Sequence, residues 1–390
     1  MKLIESIKNW FKKNKKLLIF VLSSFIIWQL VIAVVIFLGE RYFPTTGSYL
    51  YSEISPIHPR WLWSRANFDG MHYLGISKSG YDLHQQAFFP LYPQLINFLK
   101  PLFNSKDLFS ALFISSFSFL ASMVFLYKLV RLDLSKSIAK RTIIYLLIFP
   151  TAFYFTMVYT ESLFLMFILG SFYFARTRRF WLAGILGALG AMTRLPGIFL
   201  FPALGVEWWF YQKDLKDKKK AISSLIPLFL IPLGLLYYIR FLSIRFGDPL
   251  MFIHVQPYFG AGRSGGKIIL LYQVFWRYFK MLVTVDKFTT TYFVVVLEFL
   301  STLGFLALAV FTFLRRWYAY AVFMALALIA PSLTGTLSSI PRYVLVLFPG
   351  FIILAIYAEK HRWLRILYPI IAIPLFIFCL ILFTRGYWVS

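Results

Sequence analysis

Long apolar runs follow one another along almost the whole chain, with polar segments between them. A run of about 18–25 apolar residues is long enough to cross the hydrocarbon core of a bilayer as a helix. The pattern predicts an all-α polytopic membrane protein, folded as a single membrane domain over residues 1–390 with about eleven transmembrane helices. The predicted spans are 17–38, 108–131, 141–158, 161–176, 181–195, 196–212, 221–245, 290–314, 318–337, 343–358 and 366–384.

Two long segments, 39–107 and 246–289, interrupt the apolar runs. Both are rich in aromatic residues, Pro and Gly, which favours short helices lying at the membrane interface. Within the first segment, 87–100 is apolar but short, and Pro90 and Pro93 break its start. We interpret 87–100 as a re-entrant or interfacial helix, which is either a structural element or one wall of a substrate groove.

Composition and charge placement agree with a membrane protein. Hydrophobic residues make up 60% of the chain and charged residues only 14%, with a net charge of +25. Of the 40 Lys and Arg residues, 24 lie in the N-terminal tail and in short segments between spans, where positive charge marks the cytosolic side. This predicts a protein of the plasma or inner membrane with a cytoplasmic N-terminus and both long segments outside. These positive charges then set the orientation of the chain in the membrane and contact anionic lipid headgroups. We therefore expect no nucleic acid partner.

Several common kinds of site are absent from the sequence. No His/Cys group has the spacing of metal ligands, so we expect no metal and no cofactor. No cytosolic segment is long enough for a nucleotide-binding fold, and the Gly-rich stretch 262–266 follows no strand. The single cysteine, Cys379, excludes a disulfide framework and is expected to face lipid.

The first long segment contains Arg65, Asp69 and His72. In a helix these residues would fall at positions i, i+4 and i+7 on one face. They could form an ordinary surface ion pair. Alternatively, Asp69 could be a catalytic base that Arg65 or His72 keeps ionised, and we prefer this interpretation.

Two arginines and an acid near the predicted outer ends of spans are further candidates. Glu161 is either a first-turn acid that complements a helix dipole or a site residue. Arg194 lies within mostly apolar sequence, where it either pairs with Glu161 or Glu298 or binds a phosphate. Arg342 either extends to the surface or is a second phosphate ligand.

The second long segment adds Asp248 and Gln256, among interleaved basic and aromatic residues. Simple anchoring at the interface explains many of these residues, while lipid headgroups and sugars are the alternative ligands. Together, the candidates on the predicted outer side suggest one cavity with acids for a hydroxyl group and arginines for a phosphate. A donor carried in the membrane would suit this cavity, because soluble nucleotide donors are not expected outside. A transporter or flippase of an anionic or lipid-linked substrate, using Arg194, Glu161 and Glu298, is the alternative function.

Several stretches resemble the PIG-V family, which comprises the second mannosyltransferase of GPI-anchor synthesis and its prokaryotic relatives. The most specific is Phe68-Asp-Gly-Met-His-Tyr-Leu-Gly-Ile-Ser-Lys-Ser-Gly-Tyr81, followed by Ala87-Phe-Phe-Pro-Leu-Tyr-Pro93. Shorter similar pieces follow in order: Tyr159-Thr-Glu-Ser-Leu-Phe164, Thr193-Arg194 with Gly197, Gly247-Asp-Pro249 and Pro341-Arg-Tyr343. The resemblance extends from about residue 60 to about residue 355.

The resemblance implies a GT-C-like fold and transfer of mannose from a polyprenyl-phosphate-sugar donor, with inversion. It implies that Asp69 is the general base for an acceptor hydroxyl group of a glycan, a lipid or a protein. Phe68 departs from the family, which more often has Trp there. The resemblance therefore predicts the chemistry more firmly than the choice of sugar or acceptor. GPI synthesis itself is not implied.

Overall fold

The computed structural model describes residues 2–46, 59–213 and 217–389. The part 47–58 of the first long segment lies outside the described residues. Within the described ranges the chain is helical and contains no strand. The α-helices are Lys2–Tyr42, Arg60–Trp63, Asp69–Ser79, Leu91–Leu99, Asp107–Val130, Lys136–Leu147, Glu161–Arg176, Phe180–Thr193, Leu200–Lys213, Lys218–Leu225, Leu230–Phe246, Met251–His254, Leu271–Thr284, Thr290–Leu314, Tyr318–Ser332, Ile340–Tyr343, Phe348–Lys360 and Arg362–Thr384. The 3₁₀ helices are Ser64–Ala66, Gln85–Ala87, Lys100–Phe103, Ala152–Thr156, Leu195–Phe199, Ile226–Phe229, Gln256–Phe259 and Val344–Val346.

Helices occur at every predicted span, but they differ in length. Five of the described helices are long and apolar enough to cross a membrane, and a sixth span results if the pair Ile340–Val346 and Phe348–Lys360, bent by 78°, counts as one. The five are Lys12–Tyr42, Asp107–Val130, Ala221–Phe246, Thr290–Leu314 and Arg362–Thr384. The all-α membrane fold is therefore confirmed, whereas the number of eleven spans is not.

Prolines shorten several of the predicted spans. The predicted span 141–158 is a helix only as far as Leu147, and Pro150 precedes a 3₁₀ turn at Ala152–Thr156. The helix Phe180–Thr193 likewise ends just before Arg194 and Pro196. Proline disfavours helical geometry in the preceding residue and donates no backbone hydrogen bond. These breaks place polar residues at helix ends inside the fold.

Backbone contact between two neighbouring helical stretches shows how tightly the bundle packs. A β-carbon added at Gly184 would lie 2.0 Å from the carbonyl oxygen of Pro227, and one added at Gly234 would lie 2.1 Å from that of Ala188. Only glycine permits this approach. Small residues have the same role at the helix interfaces of other membrane proteins.

The largest hydrophobic cluster includes side chains from Leu17 to Val389. It contains Cys379, which is fully buried, so the expectation that this thiol faces lipid is wrong. The side chains of Phe376 and Leu380 on the same helix are buried with it. Cys379 therefore lies on the face of its helix that packs inside the bundle. The sequence pattern did not indicate this face, because the helix is apolar all round.

A second, smaller cluster fixes the helix Asp69–Ser79. Tyr73 of this helix packs edge-to-face on Tyr92 with ring centroids 5.2 Å apart. The Tyr92 hydroxyl group in turn lies 2.8 Å from Ser115 Oγ, on the next long helix. The short helix Leu91–Leu99, which the sequence predicted to be re-entrant or interfacial, therefore anchors the first long segment to the bundle.

The second long segment contains one well-formed amphipathic helix, Leu271–Thr284. Val274 and Tyr278 are buried, whereas Trp276 and Phe279 on other faces are exposed. This arrangement is typical of a helix lying along a membrane interface. The segment folds back onto the bundle through Arg277, which donates hydrogen bonds to the carbonyl oxygens of Gly335 and Ala261.

Candidate functional site

The backbone breaks immediately before Asp69. A 3₁₀ turn covers Ser64–Ala66, Phe68 has a positive φ of 58°, and a new helix begins at Asp69. The prediction of one helical face through Arg65, Asp69 and His72 is therefore wrong at Arg65. Asp69 and His72 do share the first turn of the new helix. A carboxylate at a helix start is stabilised by the helix dipole.

Asp69 pairs with Arg342, and neither side chain is freely exposed. Arg342 Nη1 lies 2.5 Å from Asp69 Oδ2, and the two side chains are 6% and 18% exposed, respectively. Arg342 lies in the short helix Ile340–Tyr343, whose N-cap residue Ser339 has a left-handed backbone with a φ of 70°. The alternative that Arg342 extends to the surface is therefore wrong. Its guanidinium group lies inside the fold, beside the first long segment.

Glu161 continues this ion pair into a cluster. Its Oε1 lies 3.4 Å from Arg342 Nε and is also hydrogen-bonded by Arg194 Nη1. The contact with Arg342 Nε lacks hydrogen-bond geometry, and Glu161 Oε2 is buried without a hydrogen-bond partner. The ion pair between Arg194 and Glu161 that the sequence left open is present. We call Asp69, Arg342, Glu161 and Arg194 the charge cluster.

Aromatic rings enclose the two arginines of the charge cluster. The Arg342 guanidinium carbon lies 5.2 Å from the ring centroid of Tyr159 and 5.5 Å from that of Tyr154. Tyr343 lies against both arginines, 5.4 Å from Arg342 and 5.0 Å from Arg194. Ring faces attract cations, and this attraction is stronger where water is excluded. The rings therefore help to hold the arginines in place.

Two opposing effects determine the acidity of Asp69. Burial raises its pKa, but the charge and hydrogen bond of Arg342, with smaller effects from His72 and Arg263, outweigh burial and lower the pKa. Asp69 is therefore ionised at neutral pH. Its principal cationic partner is Arg342, which comes from a distant part of the chain, whereas the sequence suggested Arg65 or His72.

Arg65 and His72 have other neighbours. Arg65 Nη1 lies 3.5 Å from Gln29 Oε1, and burial lowers the pKa of Arg65 to about 10. The His72 ring stacks on Phe88 with centroids 4.8 Å apart and touches the edge of Phe259 at 5.8 Å. His72 thus lies against the second long segment, next to Asp69, while Arg65 joins the first long segment to the first helix.

Asp248 and Gln256 make contacts outside the charge cluster. Asp248 Oδ2 lies 2.6 Å from His254 Nδ1, and the Asp248 side chain is 35% exposed. Burial raises the pKa of Asp248, but the His254 hydrogen bond and charge and the backbone N–H of Leu250 outweigh it and lower the pKa. Gln256 donates to the carbonyl oxygen of Phe252. Asp248 is thus not brought into contact with Asp69, although each lies in one of the two long segments between apolar runs.

Arg263 is a nearby cation that the sequence did not single out as a site residue. Its Nη2 lies 3.3 Å from Ser339 Oγ and 3.4 Å from Ser338 Oγ, and its Nη1 donates to the carbonyl oxygen of Phe259. Among the described residues, no carboxylate lies within 4 Å of Arg263. The sequence did not distinguish Arg263 from the other basic residues of its segment, so its position near Asp69 was not predicted.

Glu298 lies apart from Arg194. Tyr278 donates a hydrogen bond of 2.5 Å to Glu298 Oε2, and Thr302 donates to the Glu298 carbonyl oxygen. The alternative pairing of Arg194 with Glu298 is therefore wrong.

As for metals, no group of three or more His, Cys, Asp or Glu residues that could hold an ion occurs in the described ranges. Metal independence itself stays a prediction.

Solved structures of similar fold come from an archaeal glycosyltransferase. The oligosaccharyltransferase of Archaeoglobus fulgidus in its apo form aligns with a TM-score of 0.50 and 15% identity, covering 98% of this chain and 57% of that one. The same enzyme tethered to an acceptor peptide with the NVT sequon aligns with a TM-score of 0.42 and 14% identity, covering 98% and 56%. The chain thus spans less than two thirds of the length of that enzyme. The likeness confirms the predicted GT-C-like fold.

Sequence comparison identifies a family. No curated protein sequence matches the chain. Residues 15–242 match the family described as Mannosyltransferase (PIG-V). The match includes Asp69, Glu161 and Arg194, whereas the similar pieces at 247–249 and 341–343 lie beyond it. Because the matched stretch covers more than half of the chain, the protein belongs to the PIG-V mannosyltransferase family.

Proposed function

We propose that this protein is a membrane glycosyltransferase that moves mannose from a polyprenyl-phosphate carrier to an acceptor hydroxyl group on the outer face of the cell membrane. The observation that carries the proposal is the buried pair of Asp69 and Arg342 in the charge cluster. An ionised, partly desolvated carboxylate is suited to accept a proton. Membership of the PIG-V family supports both the class of enzyme and the sugar.

Asp69 acts as the general base in this proposal. The acceptor hydroxyl oxygen attacks the anomeric carbon of the donor sugar and forms the new glycosidic bond. The bond between the anomeric carbon and the phosphate oxygen breaks, and polyprenyl phosphate leaves with the electron pair. The hydroxyl proton passes to Asp69. A single displacement of this kind inverts the anomeric centre.

Charge balance indicates where the donor phosphate binds. The charge cluster holds two carboxylates and two guanidinium groups, so its formal charges cancel. Arg194 and Arg342 would therefore have to share a phosphate with Glu161 and Asp69. Arg263 has no acidic partner within 4 Å in the described chain and adds one uncompensated positive charge. We assign Arg263 as the principal phosphate ligand, with Arg194 and Arg342 as secondary ligands.

The geometry around Arg263 supports this assignment. Arg263 donates to Ser339, the N-cap residue of the helix that carries Arg342, and to the carbonyl oxygen of Phe259, whose ring contacts His72. It thus connects the helix whose Arg342 contacts Asp69 to the turn whose Phe259 contacts His72. A phosphate bound there would lie beside the base. His72 contributes its position next to Asp69 and against Phe259, and Glu161 orients the two arginines.

The remaining parts of the proposal follow from chemistry and topology. The carrier is a membrane lipid, which suits a chain whose described residues include five or six helices long and apolar enough to cross the bilayer. The acceptor is a glycan, a lipid or a protein with a free hydroxyl group. No metal or other cofactor takes part in the proposed reaction. In this proposal the charge cluster lies on the outer side and the N-terminus in the cytoplasm, an orientation that the distribution of Lys and Arg supports.

The decisive experiment compares Asp69→Asn with Asp82→Asn. Asp82 is an exposed acid in the same long segment, and its carboxylate accepts only from the N–H of Leu83. Purified protein is incubated with radiolabelled polyprenyl-phosphate-mannose and a membrane extract that supplies acceptors. We expect transfer by the wild type and Asp82→Asn, and loss of transfer in correctly folded Asp69→Asn.

Each possible failure has a separate meaning. Transfer retained by Asp69→Asn would reject the base. Transfer by the wild type from a nucleotide sugar, but not from the polyprenyl donor, would reject the donor class. Transport of the intact carrier across liposomes without sugar transfer would favour the flippase alternative. That alternative requires Glu298 to act together with Arg194 and Glu161. Instead, Glu298 accepts a hydrogen bond from Tyr278 and does not pair with Arg194.

A further inference from the structure

The segment that follows the helix Arg362–Thr384 packs directly beneath the backbone break before Asp69. The edge of the Trp388 indole meets the Phe68 ring at 90°, with centroids 5.2 Å apart. Phe383 touches the same ring, with centroids 5.9 Å apart. Phe68 is 4% exposed as a result. The residue that precedes the proposed base is thus fixed by side chains more than 300 positions away along the sequence.

A hydrogen bond holds the residue before Phe68 to the same place. Asn67 Nδ2 donates to the carbonyl oxygen of Phe383 at 2.8 Å, and the Asn67 carbonyl oxygen accepts from the Tyr159 hydroxyl group at 2.9 Å. Asn67 is 1% exposed. Both its side chain and its backbone are therefore committed to neighbours, so the break cannot shift without losing a buried bond.

Phe68 needs such support because of its backbone. Its φ of 58° lies in a region that aromatic residues adopt rarely and at an energetic cost. Relaxation of φ to a negative value would turn the first turn of the following helix, which carries Asp69. Packing on Phe383 and Trp388 opposes that relaxation.

Phe383 also reaches the other half of the ion pair. Its ring lies 5.1 Å from that of Tyr154 and 5.9 Å from that of Tyr159. These two tyrosines lie against the Arg342 guanidinium group. One side chain at the end of the helix Arg362–Thr384 thus supports the positions of both Asp69 and Arg342.

We propose that Phe383 and Trp388 are positioning residues, which hold Phe68 in its positive-φ conformation and thereby direct the Asp69 carboxylate towards Arg342. Neither residue touches a reacting atom in this proposal. Both lie outside the stretch that matches the PIG-V family. The catalytic consequence rests on the proposed function, whereas the mechanical consequence for the segment around Asp69 does not.

The test uses Trp388→Ala, Trp388→Phe and the control Trp363→Ala. Trp363 lies in the first turn of the helix Arg362–Thr384, which precedes Trp388 in the chain, and is 62% exposed. We expect Trp388→Ala to lower kcat about tenfold with little change in KM for polyprenyl-phosphate-mannose. Trp388→Phe again places an aromatic ring beside Phe68 and should recover most of the wild-type kcat. Trp363→Ala should have the kcat of the wild type. A wild-type kcat in Trp388→Ala would overturn the positioning role.

A second measurement does not depend on activity. Hydrogen exchange reports the backbone amides of Gly70 and Met71, which donate to the carbonyl oxygens of Asn67 and Phe68. Trp388→Ala should accelerate their exchange, while Trp363→Ala should not. Accelerated exchange in a protein that transfers no mannose would reject the proposed function but keep the positioning role. Unchanged exchange together with a lower melting temperature would reject the positioning role, because general destabilisation would then explain any loss of kcat.

Discussion

Arg342 Nη1 lies 2.5 Å from Asp69 Oδ2 although 273 positions separate the two residues along the chain. The contact joins the start of the helix Asp69–Ser79 to the short helix Ile340–Tyr343, which forms the first part of the bent pair. It determines both the protonation state of Asp69 and the charge available to a substrate.

Replacing Arg342 by Gln should make transfer more sensitive to acid. In the wild type, the lowered pKa keeps Asp69 ionised, so activity should stay level down to about pH 5 and the ion pair should stabilise the fold above the ordinary aspartate value of about 3.9. Without the Arg342 charge, burial remains and raises the pKa. We expect the acidic limb of the kcat/KM profile to move up by about 1–3 pH units. An unchanged limb in a folded variant would show that Asp69 is not the titrating base.

Replacing Arg263 by Ala should weaken donor binding. Hydrogen bonds to charged groups contribute about 1.5–3 kcal/mol, so KM for polyprenyl-phosphate-mannose should rise about 10–150-fold. Arg263→Lys keeps the positive charge but loses the planar set of N–H donors, so its KM should lie between those of the wild type and Arg263→Ala. Arg277→Ala is the control, because Arg277 also bridges the second long segment to the turn near Gly335 but bonds only to carbonyl oxygens. Equal effects of the Arg263 and Arg277 variants would indicate a role in holding the segment rather than the phosphate.

Replacing Glu161 by Gln should destabilise the protein. Glu161 is 1% exposed and is the only acid within 4 Å of Arg194 in the described ranges. Removing one partner of a buried ion pair costs about 3–5 kcal/mol because the other charge stays buried. Glu207→Gln is the control, since its partner Arg176 keeps a second acid, Asp133, at 2.8 Å. Melting temperatures in detergent should fall much further for Glu161→Gln than for Glu207→Gln, and the reverse order would contradict the prediction.

Replacing Gly184 by Ala should force two helical stretches apart. The new methyl group would lie 2.0 Å from the carbonyl oxygen of Pro227, so the backbone must shift. Overpacking of this kind costs about 1–3 kcal/mol. Gly205→Ala has no heavy atom within 4 Å of the new methyl group and should be neutral or slightly stabilising, because Ala favours helices. Similar melting temperatures for both variants would show that the contact at Gly184 relaxes freely.

The hydrophobic pattern identified the elements because each span carries its signal locally. Apolar runs predicted a helix at every place where the structure has a long one, and Pro and Gly marked the two long segments. The residues around Asp69 identified the first long segment as a candidate site, and the resemblance to the PIG-V family supplied the chemistry. The spacing of Arg65, Asp69 and His72 is compatible with one continuous helix, and spacing alone does not reveal that this helix is broken. Its break depends on the positive φ of Phe68, which distant packing stabilises.

By itself, the sequence determined that this is an all-α membrane protein, where its apolar helices lie and which acid is the strongest candidate base, since these follow from residue type and local spacing. Only the tertiary structure decided that Arg342 rather than Arg65 neutralises Asp69, that Glu161 joins Arg342 to Arg194, and that Asp248 pairs with His254 instead. Ion pairs form between side chains that folding brings within about 4 Å of each other. That distance depends on how helices pack across the whole chain, and no local pattern records it.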